Sequence, residues 1–174
     1  MSRRDILSLL QGGDRRTIGR ADQVAAMVSD NPKLFSRLIA GLWSADPLVR
    51  MRAADATEKV TREHPAFLRP YKKELLGLMS EATQQELRWH LAAMIPRLPL
   101  DARERQIAMS SLNHYLQDRS SIVKTFALQG LADFAQNEPT ILPRVLEILR
   151  GATRNGTPAM KARSRKLLIR LERI

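Results

Sequence analysis

The residue types that could carry chemistry are few and poorly spaced for it. His64, His90 and His114 lie 26 and 24 residues apart and form no His-x-x-x-His pair, and cysteine is absent, so neither a zinc site nor a thiol nucleophile is expected. The eight glycines are scattered, with no phosphate-cradling loop and no Gly-x-Ser-x-Gly elbow. Asp55 and Glu58 each find a cation four residues on, in Lys59 and Arg62, which is the spacing of ordinary helix-surface ion pairs. No cofactor and no metal are implied, and the chain reads as a non-enzyme.

Charge is the stronger signal. Against 18 Asp and Glu stand 29 Lys and Arg, a net charge of +11, and the stretch from residue 140 onward carries nine cations against Glu147 and Glu172. Acidic partners are therefore to be considered. Another basic cluster, Arg15, Arg16 and Arg20, is compatible with a solvated face or with part of a binding surface.

The elements that would position these residues follow from a repeat. Asp46, Thr83, Ser120 and Thr157 recur every 37 residues as helix-capping types, each followed by an apolar-basic pair: Val49-Arg50, Leu87-Arg88, Val123-Lys124 and Met160-Lys161. A period of this length predicts helical hairpins, each unable to bury its apolar face without a neighbour. The first helix of a hairpin is clear over 32–44, where Pro32 precedes Leu34, Phe35, Leu38, Ile39 and Leu42 at helical spacing; Trp43, at its end, is expected in the core. A second helix over about 47–63 closes at His64-Pro65. Thr83 and Glu86 predict a capping box ahead of a buried stripe of Leu87, Leu91, Met94, Ile95 and Leu98. Ile107, Leu112 and Leu116 give a further stripe, then helices run over about 121–135 and 158–173. Before residue 32 the pattern is irregular, with a short helix ahead of Gly12-Gly13 and a longer one led by Asp14 through Val28.

The expected fold class is all-α: a right-handed α-solenoid of about four to five stacked helical hairpins in one domain, 1–174. An atypical cap over 1–31 would precede repeats at about 32–64, 65–100, 101–137 and 138–174. Hydrophobic residues at 44% with aromatics at only 5% fit an aliphatic helical core. The apolar stretch Ile6 to Leu10 is too short for a secretory segment and no run of 18 apolar residues occurs, so a cytoplasmic protein with no membrane span is expected.

Two-helix units with a Val-Arg pair early in the second helix, followed by small residues as in Val49-Arg50 and Ala53-Ala54, resemble HEAT repeats, over about residues 32 to 174. The resemblance implies a scaffold that binds protein without catalysis, as a monomer in the simplest case. HEAT repeats also carry a turn Asp that engages a ladder of basic residues. Asp118 lies six before Lys124, while Ser44, Ala82 and Asn155 hold that offset before Arg50, Arg88 and Lys161. That ladder is assigned to hydrogen bonds with turns.

In such repeats the second helices line a concave face, where offsets of three, six and ten residues from the aligned apolar position share an outward arc. The candidate partner-binding residues are Arg52, Asp55, Lys59, Trp89, His90, Arg97, Phe126, Gln129, Arg163, Lys166 and Arg170. Ala93 and Asp133 share the arc. A protein partner is the leading expectation. Nonspecific nucleic-acid binding through Arg52, Arg97, Arg163, Lys166 and Arg170 is the second. A remote third is the DNA-glycosylase variant of HEAT-like repeats, with Asp55 and Trp89 in a basic trough.

Overall fold

The computed structural model describes residues 5–173. Among these the chain is all-α, with nine α-helices, five short 3₁₀ segments and no strand. It forms two compact units, one ending at Lys72 and the other beginning at Lys73.

The first unit contains α1 (Ala21–Asp30), α2 (Phe35–Ala40) and α3 (Pro47–Glu63). The cue residue Asp46 caps α3 by accepting from Leu48 N at 2.8 Å, and Pro47 follows at the first helical position, where its missing N–H costs nothing. Helix α3 buries Val49, Ala53, Ala54, Ala56 and Val60, and α1 packs Val24 and Val28 into the same core. Small residues let the helices approach. The expected first helix over 32–44 is present but tightened at both ends, with 3₁₀ turns at Pro32–Leu34 and Gly41–Trp43. That closing turn carries Trp43 out of the core, 46% exposed, contrary to the expectation from helical spacing. Likewise α1 starts at Ala21 and not near Asp14, because residues 11–20 are drawn into a fully exposed loop with positive φ at Gly12, Gly13 and Gly19.

What holds that loop is Arg52. Its side chain was expected on the outward arc, yet the residue is only 2% exposed. Its Nη1 donates to Leu10 O at 2.9 Å and Gly12 O at 2.6 Å, Nη2 to Asp14 O at 3.1 Å, and Nε to Thr17 O at 3.4 Å. One planar fork thus satisfies four carbonyls that no helix or sheet could pair. Gly19 closes the arrangement: at φ +53° it lies against the guanidinium, and a Cβ there would sit 2.8 Å from Arg52 Cζ.

The second unit is built around α7 (Ser121–Asn137), which packs against α5 (Gln85–Met94), α6 (Ala102–Tyr115), α8 (Leu142–Asn155) and α9 (Pro158–Leu171). α4 (Lys72–Glu81) begins at the border between the units. Leu87, Leu91, Met94, Ile95 and Leu98 are all buried, as the spacing predicts. The capping box is not at Thr83: α5 starts after Gln84 without a side-chain cap. The reciprocal pair occurs instead at α6, where Asp101 accepts from Glu104 N at 2.8 Å and Glu104 Oε2 from Asp101 N at 2.9 Å. Starting α6 there turns Ala108, Met109, Leu112 and Tyr115 inward and leaves Ile107 42% exposed, which corrects the stripe expected through Ile107. Ser120 and Thr157 do cap α7 and α9, and Ser121 Oγ lies 2.6 Å from Thr157 Oγ1, linking the starts of the two helices.

Gly130 sits where α7 meets α5. A Cβ on it would fall 2.9 Å from Ala92 O, a backbone atom that cannot step aside. Gly130→Ala should therefore destabilise by about 1–3 kcal/mol through overpacking, although alanine is the better helix former by about 1 kcal/mol. Arg52→Met should cost about 3 kcal/mol, since carbonyls around a buried site lose their donors. In urea titrations both midpoints should fall, and only Arg52→Met should open residues 11–20 to trypsin at Arg15 and Arg16.

Candidate functional site

Two members of the basic ladder, Arg50 and Arg88, are used within the framework. Arg50 Nη1 donates to Ser44 O at 2.7 Å and Ala45 O at 3.2 Å, and in the other unit Arg88 Nε donates to Ala82 O at 2.7 Å. The shared offset is six residues. At the third position Asp118 stands six before Lys124, and its carboxylate accepts from Arg88 Nη1 at 2.5 Å and from Ser120 N at 2.7 Å. Burial raises the Asp118 pKa, but the Ser120 N–H, the Arg88 hydrogen bond and the charges of Arg88 and Lys124 outweigh it and hold the carboxyl below its ordinary value. Arg88 also lies over the Tyr115 ring, 5.1 Å from its centroid. The Tyr115 hydroxyl donates to Met79 O, and burial pushes its pKa well up despite the opposing charge of Arg88.

The outward-arc residues of the second unit come together along α5, α7 and α9. Phe126, Gln129 and Asp133 stand one turn apart on α7, and Arg163, Lys166 and Arg170 match them on α9. Arg163 Nη1 donates to Gln129 Oε1 at 2.7 Å, and its guanidinium lies 5.9 Å from the Phe126 centroid. Gln129 Nε2 donates to Asp133 Oδ1 at 2.8 Å, and Arg170 Nη2 donates to the same oxygen at 2.9 Å. The face is thus cross-tied, with Lys166 exposed beside it.

On α5, Trp89 is half-buried, and its Nε1 donates to His90 Nε2 at 3.3 Å. With Nε2 accepting, the ring proton lies on Nδ1 and is donated to Glu86 O at 2.7 Å. His90 is only 9% exposed, so its expected place on the outward arc is corrected: the ring turns back along its own helix to the carbonyl four residues earlier. Arg97 is half-buried in the 3₁₀ turn Ile95–Arg97.

The candidates of the first unit form a separate group. Lys59 Nζ donates to Asp55 at 2.7 Å and to Asp22 of α1 at 2.5 Å. Burial lowers the Lys59 pKa, but hydrogen bonds and charge from Asp22 and Asp55 outweigh it and leave the pKa raised. Glu58, taken from sequence as a surface partner, is 8% exposed and pairs with Arg62 at 2.5 Å.

Chemically, these groups hold one another through hydrogen bonds and ion pairs. Among the described residues no three His, Asp or Glu side chains are placed to hold a metal ion, and no helix is long and apolar enough to cross a membrane. No protein family, curated protein or solved structure matches this chain.

The depressed Asp118 pKa fixes a pH dependence. A carboxylate favoured in the native state adds stability that is complete above its unfolded value, near 3.8, and is lost as pH falls through the lower folded value. Asp118→Asn should therefore lower stability at pH 7 by about 2–4 kcal/mol, because Arg88 keeps its partial burial without the charge. Below pH 4 the gap between variant and wild type should close, as read from urea midpoints across pH.

Proposed function

We propose that this chain is a non-catalytic interaction module of HEAT-like helical hairpins, a right-handed α-solenoid that holds a protein partner on the face formed by its second helices. The observation that carries this reading is the cross-tied surface of α7 and α9. There Phe126, Gln129, Asp133, Arg163 and Arg170 fix one another's rotamers while remaining partly open to solvent. Side chains already held in place lose less entropy when a partner docks, which favours recognition by a rigid face. An aromatic ring under an arginine, with the half-buried Trp89 one helix away, is the residue chemistry of interface anchors. The pair Arg50 and Arg88 supports the repeat architecture, because each donates to the carbonyl six residues earlier.

Nonspecific nucleic-acid binding is the second reading, and the basic balance of the chain favours it. It loses three of its five named cations to internal partners: Arg52 to carbonyls, Arg163 to Gln129 and Arg170 to Asp133. Lys166 remains exposed. A glycosylase reading would need a free carboxylate in the trough, and Asp55 is bonded to Lys59.

The readings separate on salt and on cross-linking. A labelled random DNA duplex titrated at about 50 and 200 mM salt should show weak binding at the lower salt, lost at the higher. A photo-reactive side chain placed at Lys166, in cells, should capture one discrete protein, and Phe126→Ala should abolish the capture. Tight DNA binding that survives Phe126→Ala, with no discrete cross-link, would overturn the protein-partner reading.

A further inference from the structure

The first unit carries a second feature that the second-helix face does not explain. A groove of about 360 Å³ opens beside α1, floored by Ile6, Leu9, Met27 and Leu34 and edged by Arg20, Gln23 and Asn31. Its size falls in the range of ligand-binding clefts, about 300–1,000 Å³. Leu9, Met27 and Leu34 are half-exposed there, whereas the exposed residues of α1 are Asp22, Gln23, Ala26, Ser29 and Asp30.

The electrostatics select an acidic ligand. Among the described residues Arg20 is the one charged residue lining the groove; its Nε donates to Gln23 Oε1 at 2.7 Å, and its terminal nitrogens have no acceptor among those residues. Two carboxylates in the same unit, Asp5 and Asp22, are already engaged by Arg37 and Lys59. Arg15 and Arg16 precede Arg20 on the exposed loop, and neither has an ion pair among the described residues. That loop, whose one apolar residue, Ile18, is exposed, is itself tied down by the buried Arg52 fork.

We infer that this groove is a docking site for a peptide segment that pairs an apolar side chain, seated on Leu9, Met27 and Leu34, with a carboxylate bound by Arg20. The loop cations Arg15 and Arg16 extend the attraction to further acidic residues of the same segment. Arg52 acts as a positioning residue from beneath. The site lies in the unit that does not contain the α7–α9 face, so either can fail without the other.

The test uses the full chain and a fluorescein-labelled, capped peptide of leucine and glutamate, followed by anisotropy at about 150 mM salt, where unpaired surface charges are screened beyond about 8 Å. Two control peptides replace glutamate by lysine or leucine by serine. Arg20→Glu and Met27→Gln each should weaken the leucine-glutamate peptide at least tenfold, with circular dichroism melts confirming folding. Arg20→Glu should also gain binding of the leucine-lysine peptide, an outcome that misfolding cannot produce. Equal affinity of wild type and both variants would overturn the proposal, since the peptide would then be held elsewhere by net charge. Equal binding of the serine control would overturn it as well. So would self-association sensitive to Arg20→Glu with no peptide bound, which would make a second copy of this chain the occupant.

Discussion

Donation from arginine to backbone carbonyls is the interaction on which each unit depends. A chain of short helices leaves many C=O groups at turns that neither helix nor sheet can satisfy, and burying such groups unpaired is costly. Arg50 closes the turn before α3, Arg52 gathers four carbonyls of the loop before α1, and Arg88 closes the turn before α5 and reaches Asp118. Guanidinium suits the task because it offers five donors in a rigid fork and stays charged at any ordinary pH. Three of the 29 basic residues are thereby explained as framework, so net charge alone overstates the cations left for a partner.

The same constraint separates framework from face. Cations bonded to turns are removed from any binding surface, while Arg163 and Arg170, bonded to side chains of α7, remain on the proposed face. A surface cross-tied in this manner has fixed shape and mixed polarity. It suits a partner that brings its own apolar and polar groups more than a uniformly charged polymer, whose attraction depends on unpaired cations.

Much of the helical layout was legible in the sequence, because capping types and apolar spacing act locally. Asp46, Ser120 and Thr157 cap their helices, and the stripe from Leu87 to Leu98 is buried, since a 3.6-residue period leaves little freedom. The hydrogen bonds of Arg50 and Arg88 to turns were legible from their place in the repeat, but the acceptors themselves, carbonyls of Ser44 and Ala82, leave no mark in residue type. For the same reason Arg52, placed on an outward arc by angle alone, turns inward to acceptors 35 or more residues earlier in the chain. His90 was displaced by its bond to Glu86 O, and Trp43 by a 3₁₀ ending that the helical wheel does not contain. Phe126, Gln129, Arg163 and Arg170 share one face as their offsets predict, because α7 and α9 are regular helices whose offsets remain in register.

Nitrogen-15 spectra of the arginine guanidinium groups test the framework role most directly, by reading proton exchange and shift dispersion at each side chain near neutral pH. Arg50, Arg52 and Arg88 should give dispersed signals protected from exchange, while the exposed Arg15, Arg16 and Arg165 should average into one fast-exchanging envelope. Collapse of all six into that envelope would contradict the account, since the turns would then be held by something other than arginine.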